Sequence, residues 1–101
     1  MEYTETHEWI DFQGNVATIG LSEKAQKELG EIVYLDLPKI GAKAVKGEAI
    51  CVLESTKAAV DLYAPLTGTV IRINESLKSD PERINTLSEK DKWLYKIDTA
   101  K

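Results

Sequence analysis

Every apolar-patterned run in this chain is short, and each is cut off by a turn or capping residue. "WIDF" stops at "QGN", "VATIGL" at Ser22, "EIVYLDL" at Pro38, and "VDLYA" at Pro65. Glycine reaches backbone angles closed to other residues, and proline removes a ladder N–H, so both punctuate strands. A chain cut this often has no room for long helices. Short strands spaced this regularly point to a small, mainly β barrel or sandwich. A length of 101 residues sets it as one domain, 1–101, with a single modest core.

Trp9, Ile10 and Phe12 open a strand that turns at Gln13 to Asn15, and "VATIGL" returns with Ala17 and Ile19 facing opposite to Val16 and Thr18. Ser22 reads as a helix N-cap, Glu23 suits the first turn, and Gly30 stands where a C′ glycine would. Leu21, Ala25 and Leu29 are spaced by four and share one face. A helix this short must dock on the sheet to exist. In "EIVYLDLP", alternation sends Ile32, Tyr34 and Asp36 one way and Val33, Leu35 and Leu37 the other. "AICVLE", "VDLYAP", "GTVIRIN" and "WLYKI" supply the remaining strands. Asp80 before Pro81 reads as a helix cap. "LPKIG" and "APLTG" share a turn pattern that hints at two similar halves.

Charged residues make up 30% and hydrophobic residues 43%, the balance of a soluble globular domain. The net charge of −4 disfavours nucleic acid and favours basic protein partners. No run is long and apolar enough for a membrane helix. The acidic start "MEYTETHEW" is not a targeting peptide, so the expected compartment is the cytoplasm, or the mitochondrion if a transit peptide has been removed. One cysteine and one histidine leave no zinc-type cluster, and no metal site is expected.

Cys51 with His7 as base and Asp61 as orienter would make a nucleophilic triad, but Cys51 sits in the apolar run "AICVL", where a buried structural thiol is the stronger reading. His7 itself reads as a surface or capping residue. Lys57, in "ESTKAAVDLYAP", lies at what looks like a hairpin tip flanked by Glu54 and Asp61. A solvated turn lysine fits this pattern. So does an acceptor for covalent acylation: Ser55, Thr56, Ala58 and Ala59 are small, and the flanking strands are apolar enough to hold the tip rigid.

"ESTKAAVDLYAPLTGTV" resembles the lipoyl-attachment hairpin of the glycine cleavage system H-protein family. "HEW", "VATIGLSEKAQKELGEIVYLDLPKIG", "NESLKSDPERIN" and "WLYKI" resemble that family's other blocks, in order and at matching spacing over nearly the whole chain. The resemblance implies a barrel-sandwich hybrid of short antiparallel strands with one or two short helices. It implies lipoic acid joined by an amide to Lys57. The arm would shuttle the aminomethyl group of glycine from the pyridoxal-phosphate glycine decarboxylase to the tetrahydrofolate-dependent aminomethyltransferase, with reoxidation by dihydrolipoamide dehydrogenase. The protein would be a carrier rather than a catalyst. A lipoate ligase or a lipoyl or octanoyl transferase would load it, recognising Glu54 and Gly68, although a turn role also accounts for that glycine. An arm cleft would involve Thr6, Glu8, Leu21, Ala25, Leu29 and Asp61, with a carboxylate pairing the loaded amine. A monomer is expected, since several partners must reach the tip.

Some positions depart from the family pattern. Thr56 replaces valine, Val60 replaces serine, Glu28 stands where some members carry histidine, and Lys92 stands where glycine is usual before the tryptophan. The family continues into a C-terminal helical segment, whereas "DTAK" follows Ile97 here. The alternatives are an H-like lipoyl donor serving other lipoylated proteins and a lipoyl domain of a 2-oxoacid dehydrogenase. The latter usually has Asp-Lys-Ala at the tip and lacks the "HEW" strand and the "SEKAQKELG" helix. A biotin carrier would show Met-Lys-Met.

Overall fold

The computed structural model describes residues 1–5 and 7–100. Its strands are β1 (Glu2–Tyr3), β2 (Glu8–Gln13), β3 (Val16–Leu21), β4 (Ile32–Asp36), β5 (Lys43–Ala44), β6 (Ala49–Ser55), β7 (Ala59–Tyr63), β8 (Gly68–Ile73) and β9 (Trp93–Asp98). Two short helices, α1 (Glu23–Leu29) and α2 (Glu75–Ser79), and 3₁₀ turns at Pro81–Thr86 and Glu89–Asp91 complete the chain. The strands form two antiparallel sheets, one ordered β1-β2-β3-β9-β8-β5 and the other β4-β6-β7. The architecture is mainly β, two sheets closing on one core with short helices at the side, as expected. Among the described residues no helix is long and apolar enough to cross a membrane.

The β2–β3 hairpin turns at Gly14, whose φ of 59° lies in the left-handed region. Across it, Trp9 faces Gly20, and a Cβ on Gly20 would stand 2.2 Å from the indole ring. The missing side chain is what lets the ring lie flat and buried. Ala17 and Ile19 point inward, matching the alternation in the sequence.

Helix α1 is bounded as its sequence requires. Ser22 Oγ accepts from Ala25 N–H at 3.1 Å, and Gly30 (φ 80°) donates its N–H to Gln26 O at 2.8 Å. Leu21, Ala25 and Leu29 are all buried, but Leu21 does so as the last residue of β3, not from the helix.

Three local readings change. First, β4 does not alternate throughout: a register shift between Ile32 and Tyr34 turns both Ile32 and Leu35 inward and leaves Val33 and Tyr34 exposed. Asn85 bonds the strand at this point. Its Oδ1 accepts from Ile32 N–H (2.9 Å) and from Gln26 Nε2 (2.8 Å), while its Nδ2 donates to Ile32 O (2.8 Å). A side-chain amide thus satisfies both backbone groups of Ile32. Second, the segment after Asp80 is a 3₁₀ turn with Pro81 at its start, and the Asp80 side chain makes no cap bond. Third, "ESLKS" forms α2, a helix too short for its periodicity to be legible.

The "LPKIG" and "APLTG" turns end side by side. Gly41 N–H donates to Val70 O, and Lys43 and Ala44 pair with Thr69 and Gly68.

Candidate arm-attachment site

Strands β6 and β7 pair from Ala49↔Tyr63 to Glu54↔Ala59 and meet in the turn that carries Lys57. Ser55 organises this turn. Its Oγ accepts from Lys57 N–H and Ala58 N–H, both at 3.1 Å, and its own N–H donates to Ala58 O at 2.8 Å. Thr56 N–H donates to Glu31 O at 3.0 Å, tying the tip to the loop after α1. The stem of Lys57 then passes over Gly30, with Cε 3.7 Å from where a Cβ there would lie. Lys57 is exposed, and no carboxylate among the described residues lies within ion-pair distance of its amine. The backbone is fixed and the amine accessible, which is the condition for an enzyme to acylate one lysine among several.

The other residues expected at a site fall into two groups. Glu54 and Asp61 lie on the outward face of the three-stranded sheet, together with Asp36 and Tyr34. Glu8, Leu21, Ala25 and Leu29 lie on the α1 side and are buried. Thr6 lies outside the described residues. Glu8 sits opposite Leu21, with Thr4 Oγ1 donating to its Oε1 at 2.6 Å. A charged carboxylate survives such burial only when it is hydrogen-bonded. Beside it a cavity of about 150 Å³ opens between Thr4, Glu5 and His7 on one wall and Ser22, Lys24, Ala25 and Glu28 on the other. His7 has φ 86°, and its Nε2 stands 4.0 Å from Glu28 Oε2.

The nucleophilic triad is not assembled. Cys51 faces the core opposite Leu62, Asp61 faces out, and His7 is turned toward Glu28. Burial, with Asp36 and Glu8 nearby, pushes the Cys51 thiol up to about 12, the opposite of an activated nucleophile. Gly68 has a packing reason of its own: a Cβ there would stand 2.4 Å from both Asp98 O and Ile97 Cγ2.

The pattern of the Glycine cleavage H-protein family matches residues 1–101. The chain belongs to that family. It is 46% identical over 99 residues to the glycine cleavage system H protein of Thermotoga maritima, covering 98% of this chain and 80% of that one. To the glycine cleavage system H protein of Bartonella quintana it is 48% identical over 95 residues, covering 94% and 78%. The crystal structure of a glycine cleavage system H protein from Mycobacterium marinum superposes with a TM-score of 0.88 at 34% identity, covering 97% of this chain and 82% of that one. The barrel-sandwich architecture expected of the family is therefore the one observed.

Sequence reasoning alone did not single out Gly30, Asn85, Glu89 or Lys92 as parts of this region. Asn85 carried a signal, since it closes the "NESLKSDPERIN" block that resembles the family pattern. Lys92 showed only as a departure from the family pattern, and Glu89 carried no signal, because charged residues in a turn look alike until their partners are known.

Proposed function

We propose that this chain is a lipoyl carrier of the glycine cleavage system, with lipoic acid amide-linked to Lys57. The observation that carries the reading is the exposed Lys57 on a turn locked by Ser55 and braced on Glu31, in a chain of the H-protein family. The attached group would supply a disulfide able to take up two electrons and a one-carbon cargo, so the protein needs no reactive thiol of its own.

What the chain contributes is placement. The small residues around Lys57 admit a lipoate ligase or a lipoyl or octanoyl transferase, with Glu54 and Gly68 as recognition positions. The glycine at position 30 leaves the stem of Lys57 a path along α1 toward the cavity. There Ala25, with Glu8, Leu21 and Leu29 buried on the same side, holds a cationic cargo away from water, while Asp61 faces out from the three-stranded sheet. Tethering raises the local concentration of the working group at the decarboxylase, the aminomethyltransferase and dihydrolipoamide dehydrogenase in turn. The protein acts as a monomeric cytoplasmic co-substrate, not as a catalyst.

Glycine–bicarbonate exchange with purified glycine decarboxylase tests this. Lipoylated protein should support exchange, and unmodified protein should not. Reductive acylation by a 2-oxoacid decarboxylase instead would favour the dehydrogenase-domain reading. Lipoylation without either activity would favour a donor to other lipoylated proteins.

A further inference from the structure

The two walls of the cavity beside α1 are far apart in sequence, yet both are fastened to one short segment, 89–92. Glu89 makes three contacts outside its own turn. Its Oε1 accepts from Tyr3 Oη at 2.7 Å, its Oε2 from Glu23 N–H at 2.8 Å, and its backbone O from Trp9 Nε1 at 3.1 Å. Tyr3 and Trp9 bracket the wall formed by Thr4, Glu5 and His7, and Glu23 begins the helix that carries the other.

Lys92 completes the clamp. It is only 3% exposed. Its ammonium donates to Glu23 Oε1 at 3.1 Å and to Gln26 Oε1, and its backbone O accepts from Leu21 N–H at 3.0 Å. Lysine is seldom buried to this degree unless its charge is paired. Glu23 and Gln26 are three residues apart, one turn of the same helix face, so a single ammonium holds both. A seven-residue helix has no stable position of its own. Ala25 and Leu29 give α1 adhesion to the core, but apolar contact permits sliding and rotation. A charged bond from a buried ammonium to two points on one turn does not.

We propose that Lys92 is a positioning residue, which together with Glu89 fixes α1 against Thr4, Glu5 and His7 and sets the width of the cavity for the cationic end of the arm. The ligand rests on the lipoyl reading; the clamp belongs to the chain with a bare Lys57.

Lys92→Met deletes the ammonium at similar length, Lys92→Arg keeps a charge, and Glu23→Gln weakens the bond from the solvent side. Ile73→Val, in β8, is a stability control. On protein with unmodified Lys57, amide hydrogen exchange of α1 should quicken on the order of tenfold in Lys92→Met, in the same direction in Glu23→Gln, and little in Lys92→Arg. On lipoylated, loaded protein, mass spectrometry should show the one-carbon cargo lost to water several-fold faster in Lys92→Met, and at the wild-type rate in Ile73→Val. Unchanged α1 exchange in both Lys92→Met and Glu23→Gln overturns the clamp, as does equal quickening in Ile73→Val. Quickened exchange with unchanged cargo loss overturns the positioning role. If Lys57 takes up no lipoyl group in any variant, it is the lipoyl reading that fails, and α1 exchange alone decides the clamp.

Discussion

The stem of Lys57 runs over Gly30, its Cε 3.7 Å from the point a Cβ there would take, so the root of the proposed arm rests on the C-terminal end of α1. Gly30 serves two purposes at that point. Its φ of 80° and ψ of −148° lie in a region essentially reserved for glycine, and its bare surface leaves the lysine an unobstructed path.

These two roles separate on substitution. A Cβ at 3.7 Å is an ordinary contact, so Gly30→Ala should leave acylation of Lys57 near the wild-type rate. The backbone angles should cost about 1–3 kcal/mol. With a cost of 1 kcal/mol moving the melting point by about 4–8 °C in a domain of this size, thermal unfolding will show the loss. A large fall in acylation with an unchanged melting point would reverse the assignment.

Asn85 should be worth more than its half-buried position suggests. Asn85→Ala leaves Ile32 N–H, Ile32 O and the Gln26 amide without the partner they now share. A loss of roughly 2–4 kcal/mol is expected, since buried polar groups left unpaired cost about 1–3 kcal/mol each and water restores part. Urea unfolding at constant slope measures it directly.

Cys51 should resist thiol reagents in the folded protein. Burial and the neighbouring carboxylates Asp36 and Glu8 push its pKa up to about 12, so almost no thiolate exists at neutral pH. Labelling should await unfolding and appear in full on adding denaturant. Rapid labelling of native protein would show an accessible, activated thiol.

The Glu89 contacts should be visible in acid. The Glu23 N–H and then the Tyr3 hydroxyl hold the Glu89 carboxyl below the usual carboxylate range. A group whose pKa is lower folded than unfolded adds stability above its unfolded pKa. That stability is lost as the pH falls through the folded value. Glu89→Gln should therefore flatten the acid limb of the stability–pH profile while changing little of its shape above neutral pH. Melting points across acidic pH will show whether the two curves converge at the acid end.

The parts of this fold that depend on neighbouring residues were legible in the sequence. The β2–β3 hairpin, the Ser22 and Gly30 ends of α1 and the tip position of Lys57 all follow from local turn and capping chemistry. What depended on distant partners was not. No periodicity reveals that Asn85 reaches across 53 residues to bond the backbone of Ile32, or that Lys92 buries its charge against Glu23 and Gln26. Leu21 was placed on the right side of the core for a partly wrong reason: its four-residue spacing from Ala25 suggested a shared helix face, whereas it ends a strand. Which of Asp61 and Leu62 faced the core had to come from the structure, where Leu62 is buried and Asp61 exposed.

The central claim is that Lys57 carries the arm. Intact-mass measurement after incubation with a lipoate ligase, ATP and lipoate tests it most directly. The account expects a mass gain of one lipoyl group, localised by peptide mapping to Lys57 and absent in Lys57→Arg. An unmodified wild-type chain, or a gain that persists in Lys57→Arg, would contradict it.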